Sequence, residues 1–287
     1  MIALMMPILT VFIYIVLTTG KMFYIYAWFF VILVSIVLMT IVPDYILPLF
    51  DVYRPLKEGV LKQKIENLAV SINYPLKKLL VVENSRRSHH SNAYMYGFYK
   101  NKCIVLFDTL FKNKTNVDDK IEFDENVKEN EGQAGCTNDE ICAILAHELG
   151  HWFYSHTLCN FVIGQIHMLF TFVVFAYFQN QSKMYISFGF KTQPTVIGFS
   201  IVFMIMSAFN QMLQIVLLKF SRKMEYSADE FSSKLNYSKN LQSALIKLHV
   251  NNLSNPYNDW LYSCCNFNHP TLLERLEALA KYDEKNK

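Results

Sequence analysis

Four stretches of almost unbroken apolar residues divide this chain, and polar sequence of helical or mixed periodicity lies between them. Residues 1–19 and 22–42 are nearly charge-free and are separated only by Gly20-Lys21, while residues 158–178 and 196–220 form a second pair. Each stretch has about the 20 residues that a helix needs to cross a hydrocarbon core. Four transmembrane helices are therefore predicted. The first run lacks a basic leader and is followed at once by the second, which points to a helical hairpin rather than a signal peptide. An even number of crossings in each pair puts residues 43–157 and 221–287 on the same side of the bilayer. Those regions hold Arg54, Lys57, Lys77, Lys78, Arg86, Arg87, Arg222 and Lys223, whereas the loop 179–193 has only Lys183 and Lys191. An excess of Lys and Arg marks the cytosolic side, so the two large regions are assigned there.

The organisation that follows is a hairpin (1–42), a cytosolic region (43–157), two membrane helices with a connecting loop (158–220) and a cytosolic tail (221–287). Composition agrees with it. The chain is 52% hydrophobic, 15% aromatic and 18% charged, against about 25% charged in ordinary soluble domains. A net charge of +3 without a basic–aromatic array gives no reason to expect nucleic acid as a partner. The cysteines at 103, 136, 142, 159, 264 and 265 form no CxxC pair, which suits a reduced compartment and no disulfide framework. Residues 112–138 are charged, contain Gly and Asn and lack periodicity, and are expected to be a flexible insertion with no chemistry of its own.

Chemistry enters at "AHELGH", residues 146–151. Thr137 and Glu140 have the spacing of a capping box just ahead of it, and "EICAILAHELGHW" has apolar residues at helical spacing. His147 and His151, four apart, then share one helix face and can grip one metal ion. Glu148 stands between them as the general base toward water at that metal. HExxH fixes only three residues and also occurs by chance on surface helices. A catalytic zinc needs a third protein ligand. The fourth apolar stretch runs into "SRKMEYSADEF", where Glu225 and Asp229 are again four apart and Ala228 is small enough for a second helix to approach. Glu225 as ligand and Asp229 as acceptor for a ligand histidine is one reading; an amphipathic juxtamembrane helix with solvated carboxylates is the other. If 158–178 and 196–220 are antiparallel neighbours, two membrane helices prolonged beyond the bilayer would carry the ligands. Gln165, His167, Asn210, Gln211 and Gln214 lie within those stretches, facing either a wet cavity or one another.

"HELGHW", "EYSADEF" and "NHPTLLERLEAL", in this order, resemble the type I CAAX prenyl proteases, integral-membrane zinc endopeptidases. The likeness extends to "PDYILPLFDVYRPL", "HSNAYMYGF", "IVLFDTL" and "ALIKLHVNNLSNPYNDWLYS", and covers nearly the whole chain except 112–138. It implies a mainly α, polytopic membrane protein with a short β element, and a family fold of seven membrane helices around a water-filled chamber. It implies one zinc ion held by His147, His151 and Glu225, with Glu148 as general base. It also implies Asn92 beside the site on an edge strand that pairs with substrate backbone, His269 stabilising the developing oxyanion, and Arg275 orienting carboxylates near the metal. The histidines at 89, 90, 156 and 249 are assigned no role. Since Met1 aligns with the family's fourth helix, the chain is expected to be a C-terminal part lacking about three N-terminal helices.

The function so implied is removal of the last three residues of a prenylated Cys-a-a-X protein or peptide. The setting is the endoplasmic reticulum membrane, with the nuclear envelope as the other candidate, and a catalytic side toward the cytosol. Two alternatives stand beside it: a broader membrane quality-control zinc protease, and a truncated non-catalytic membrane partner.

Overall fold

A computed structural model describes residues 2–83, 92–97, 101–111, 115–117, 120–122, 135–255 and 257–285, with backbone alone at 2–4, 115–117 and 120–122. His89, His90, Arg86 and Arg87 lie outside the described residues. The helices are α1 (Ile2–Thr18), α2 (Phe23–Ile41), α3 (Val60–Ser71), α4 (Asn138–Phe153) and α5 (His156–Phe178). They continue with α6 (Ser182–Ser187), α7 (Thr195–Lys234), α8 (Ser238–Asn251), α9 (Trp260–Asn266) and α10 (Leu272–Lys285). The mainly α class is as expected. The chain divides into two compact units, 1–41 with 157–216 and 42–156 with 217–287.

The first unit is built from the apolar stretches. Among the described residues, three helices are long and apolar enough to cross a membrane: α2 with its flanking turns, α5 and α7. At 17 residues, α1 is shorter. α5 and α7 run antiparallel, as successive contacts show: Phe175 stacks on Phe199 at 3.6 Å, Phe170 meets Phe209, and His167 Nε2 lies 3.1 Å from Asn210 Oδ1. Among lipid-like surroundings a polar group gains most from a polar partner, and the His167–Asn210 pair supplies one. The Trp28 indole donates to the Gln165 carbonyl at 3.0 Å, tying α2 to α5. The loop between α5 and α7 contains α6, whose Tyr185 is buried with Phe23 and Phe175.

The second unit surrounds a four-stranded sheet of β1 (Tyr53–Pro55), β2 (Leu76–Val82), β3 (Ala93–Tyr96) and β4 (Lys102–Phe107). Its order is β1-β2-β4-β3, with β2 and β4 parallel and both edges antiparallel. β3 is an edge strand, as the family resemblance implies for the segment beside Asn92. The turn from β3 to β4 needs Gly97, which has φ 107° and where a Cβ would collide with the Asn101 carbonyl. Ile104 and Leu106 of β4 are buried in a core shared with α3 and α4, and Val105, on the other face of the strand, is buried as well. Most of 112–138 lies outside the described residues, but two parts of it have structure. β5 (Thr115–Val117) pairs antiparallel with β6 (Lys120–Glu122), and the end of the stretch belongs to the core, with Cys136 buried and bridged to Phe111. At its end the stretch expected to be a flexible insertion is instead fixed, because Cys136 and the cap that follows anchor α4.

Candidate metal centre

α4 begins where the capping box places it. The Thr137 N–H donates to Glu140 Oε2 at 2.7 Å and the Glu140 N–H to Thr137 Oγ1 at 3.3 Å. Glu140 also accepts from Ser243 Oγ at 2.6 Å and Lys247 Nζ at 2.7 Å, which fastens the start of α4 to α8. With Ile141, Cys142, Leu145, Ala146 and Leu149 all buried, α4 has little freedom to rotate, and its two histidines are aimed by packing. α7 crosses it closely. A Cβ on Gly150 would stand 3.0 Å from the Ala228 Cα and 3.1 Å from the Phe231 Cβ, so two small residues set the distance between the helices.

That crossing brings the expected ligands together. His147 Nε2 and His151 Nε2 are 3.3 Å apart; Glu225 Oε1 is 3.3 Å from His151 Nε2, and Glu225 Oε2 is 3.5 Å from His147 Nε2. Ligands about 2.1 Å from a tetrahedral zinc are separated from one another by roughly 3.4 Å. The three side chains approach that spacing, each histidine facing a different oxygen of Glu225. Glu225 Oε2 is buried and faces imidazole nitrogens alone, His147 Nε2 at 3.5 Å and His269 Nδ1 at 2.9 Å. Burial and the Arg275 charge lower the His147 pKa, but Asp229 and Glu225 outweigh them and raise it to about 9. The cluster attracts positive charge even without metal.

Beside these three side chains stand Asp229, Arg275 and His269. Asp229 is completely buried, accepts from His147 Nδ1 at 2.8 Å and is held bidentately by Arg275, from Nη2 at 2.6 Å and Nε at 2.9 Å. Arg275 is placed by the start of α10, where the Thr271 N–H donates to Glu274 at 2.7 Å and Glu274 receives Arg222 of α7 on both oxygens. Arg222, read from sequence only as a cytosolic charge, thus aligns α10 against α7. His269 reaches the centre from the loop before α10, with Nδ1 2.9 Å from Glu225 Oε2 and its ring largely exposed. Glu148 is half-buried on α4 between the two histidines. Asn92 precedes β3, packed beside α4, and its Oδ1 accepts from the Ala93 N–H at 2.8 Å.

Two expectations are corrected. α4 does not continue into a membrane helix: Ser155 has φ 54°, a left-handed residue that ends one helix before α5 begins at His156. Only Glu225 is carried on a helix continuous with an apolar stretch. The second concerns where His156, assigned no role from the sequence, lies. The turn folds it back so that its Nδ1 lies 2.9 Å from His151 Nδ1. On an uninterrupted helix residues five apart diverge by about 140°, so helical spacing gave no sign of this contact.

Residues 55–283 match the model of peptidase family M48, and residues 1–52 match that of the CAAX prenyl protease N-terminal region, described as five membrane helices. α1 and α2 fall within the second match, so the expectation that the N-terminal helices are lacking is not upheld. A CAAX prenyl protease 1 homolog of Caenorhabditis elegans is 47% identical over 99% of this chain and 66% of its own length. Its Homo sapiens counterpart is 45% identical over 96% and 62%. The crystal structure of S. mikatae Ste24p superposes with a TM-score of 0.83 at 37% identity, over 96% of this chain and 63% of the other. The chain thus spans somewhat under two thirds of the length of these relatives.

Proposed function

Because the chain belongs to peptidase family M48, we propose that it supplies the zinc-dependent catalytic centre of an endopeptidase that removes the last three residues of prenylated Cys-a-a-X proteins. The observation that carries the proposal is the convergence of His147, His151 and Glu225 to within 4.8 Å of one another, with Glu148 between the histidines. The likeness to CAAX prenyl protease 1 homologs supports this substrate class.

His147, His151 and Glu225 would hold one zinc ion, which supplies Lewis acidity, acidifying a water and polarising the scissile carbonyl. Glu148 takes a proton from the attacking water and delivers it to the departing amine, so that one carboxylate serves as base and then as acid. His269, exposed beside Glu225, donates to the oxygen on which negative charge develops. Asn92 and the outer edge of β3 receive the substrate as an added strand, which positions an extended peptide with little side-chain selectivity. Asp229 keeps the His147 proton on Nδ1 and its Nε2 lone pair directed at the metal. Arg275 neutralises and orients Asp229.

The protein would work in the endoplasmic reticulum membrane with this unit facing the cytosol, a reading supported by the Lys and Arg excess on residues 43–157 and 221–287. The test is cleavage of a farnesylated Cys-a-a-X peptide by the protein in detergent or liposomes, with and without a chelator. Chelator-sensitive release of the tripeptide is expected. Equal turnover in both arms would sink the metal mechanism, and equal cleavage of the unprenylated peptide would favour a broader membrane protease.

A further inference from the structure

The side of His151 turned away from Glu225 presents Nδ1 to a second imidazole, His156, at 2.9 Å. The rings meet nearly at right angles, with centroids 5.0 Å apart. His156 is buried, stacks against Tyr154, and places its Nε2 3.2 Å from Ser227 Oγ. The Ser227 hydroxyl in turn donates to the Met224 carbonyl at 2.8 Å. Met224 immediately precedes Glu225 on α7.

One consistent set of proton positions runs along this chain. A serine hydroxyl has one proton; given to Met224, its shorter contact, it leaves Ser227 Oγ to accept from His156 Nε2–H. A neutral His156 protonated on Nε2 has its Nδ1 lone pair free, and that atom must accept from His151 Nδ1–H. His151 is then the tautomer with its lone pair on Nε2, the atom that faces His147 and Glu225. Each link leaves the next with one role, and the series ends on the backbone of the helix that carries the third ligand.

We infer that His156, oriented by Ser227, is a positioning residue for the metal centre, holding His151 in its zinc-binding tautomer and ring orientation as Asp229 does for His147. The two ligand histidines are thus supported differently: His147 by a charged, Arg-paired carboxylate, and His151 by a neutral acceptor. A neutral support adds no negative charge to a centre that already holds Glu225 and Asp229. The inference rests on the metal reading above.

The experiment measures zinc affinity of the detergent-solubilised protein against a buffered chelator, for wild type, His156→Leu, His156→Asn and Ser227→Ala. The absorption spectrum of the cobalt-loaded form and the melting of the metal-free form accompany it. Leu cannot accept a hydrogen bond, whereas Asn offers an acceptor oxygen near the place of Nδ1. His156→Leu should lose about 10- to 100-fold in affinity and shift the cobalt bands, Asn should recover much of the loss, and Ser227→Ala should lose less. If wild type binds no zinc, the metal reading itself fails. If wild type binds zinc and His156→Leu binds it equally well with an unchanged cobalt spectrum, the positioning role alone is overturned. Equal losses in Leu and Asn that follow lowered melting of the metal-free protein would likewise overturn it, by assigning His156 to packing.

Discussion

Asp229 Oδ1 lies 2.8 Å from His147 Nδ1, in a carboxylate that no solvent reaches. The same carboxylate is the only counter-charge within hydrogen-bonding distance of the Arg275 guanidinium among the described residues. Asp229→Asn therefore acts twice. It removes the acceptor that fixes the His147 tautomer, which should weaken zinc binding about 10- to 100-fold. It also leaves a largely buried guanidinium unpaired, which should cost about 3 kcal/mol or more in the metal-free protein. Chelator competition reads the first effect and thermal unfolding of the apoprotein the second. In Asp229→Asn combined with Arg275→Gln, the stability should return in part and the affinity should not. An Asp229→Asn protein equal to wild type in both would place the pair outside the site.

Glu148→Gln should keep its zinc and lose turnover by about 10²- to 10⁴-fold, the usual worth of a positioned acid–base group. Gln occupies the same space but cannot take a proton from water. Zinc content by atomic absorption and cleavage of the farnesylated peptide separate the two. Loss of zinc in this variant would mean that Glu148 ligates the ion.

Removal of metal should lower the melting temperature of wild type. An ion that binds only the folded state adds about 2.7 kcal/mol at a free concentration 100 times its dissociation constant. In His147→Ala or Glu225→Ala the difference between zinc-loaded and chelator-treated melting should nearly vanish. A full-sized difference in either variant would point to a metal bound elsewhere.

The Glu140 cluster predicts a pH dependence. Burial raises the Glu140 pKa, but bonds from Lys247, Ser243 and the Thr137 N–H outweigh it and hold the carboxyl below its ordinary value. A depressed folded value means stability that is fully present above the unfolded pKa of about 4.3 and lost as the pH falls through the lower folded value. Glu140→Gln should cost about 1.5–3 kcal/mol at pH 7, as expected for a hydrogen bond to a charged group. The gap in melting temperature between wild type and Glu140→Gln should narrow once the pH drops below about 4. A gap unchanged down to pH 3 would show that the charge contributes nothing.

How much of this was legible in the residues varies with the range of the interactions. The start of α4 was readable because Thr137 and Glu140 are local partners and a capping box is complete within four residues. The pairing of His147 with His151, and of Glu225 with Asp229, followed from helix geometry alone. That the two pairs meet was an expectation from apolar stretches lying side by side, and the contact at 3.3 Å agrees with it. His156 escaped because its contact depends on one left-handed serine, for which "FYSHT" gives no strong signal such as a glycine. The sheet was foreseen only as an edge strand by resemblance, since β1 and β3 have three and four residues. Strands so short barely show alternation, and β4, buried on both faces, shows none. Arg222 escaped because the Glu274 and Ser263 that it binds lie 52 and 41 residues away.

The tight passage between α4 and α7 has a consequence for how the protein will look in a saturation scan. Gly150 and Ala228 bear no functional group, yet a Cβ added at Gly150 would stand 3.0 Å from the Ala228 Cα, inside van der Waals contact, so that the neighbouring backbone must give way. On an ordinary exposed helix Gly→Ala gains about 0.5–1 kcal/mol. At Gly150 that gain must be set against separating two histidines from a glutamate whose spacing already suits the ion. Scored by growth or cleavage alone, these two positions should be as intolerant as the ligands themselves. Such a map would show more indispensable residues than the chemistry employs, and only the metal content of each variant would tell the spacers from the ligands.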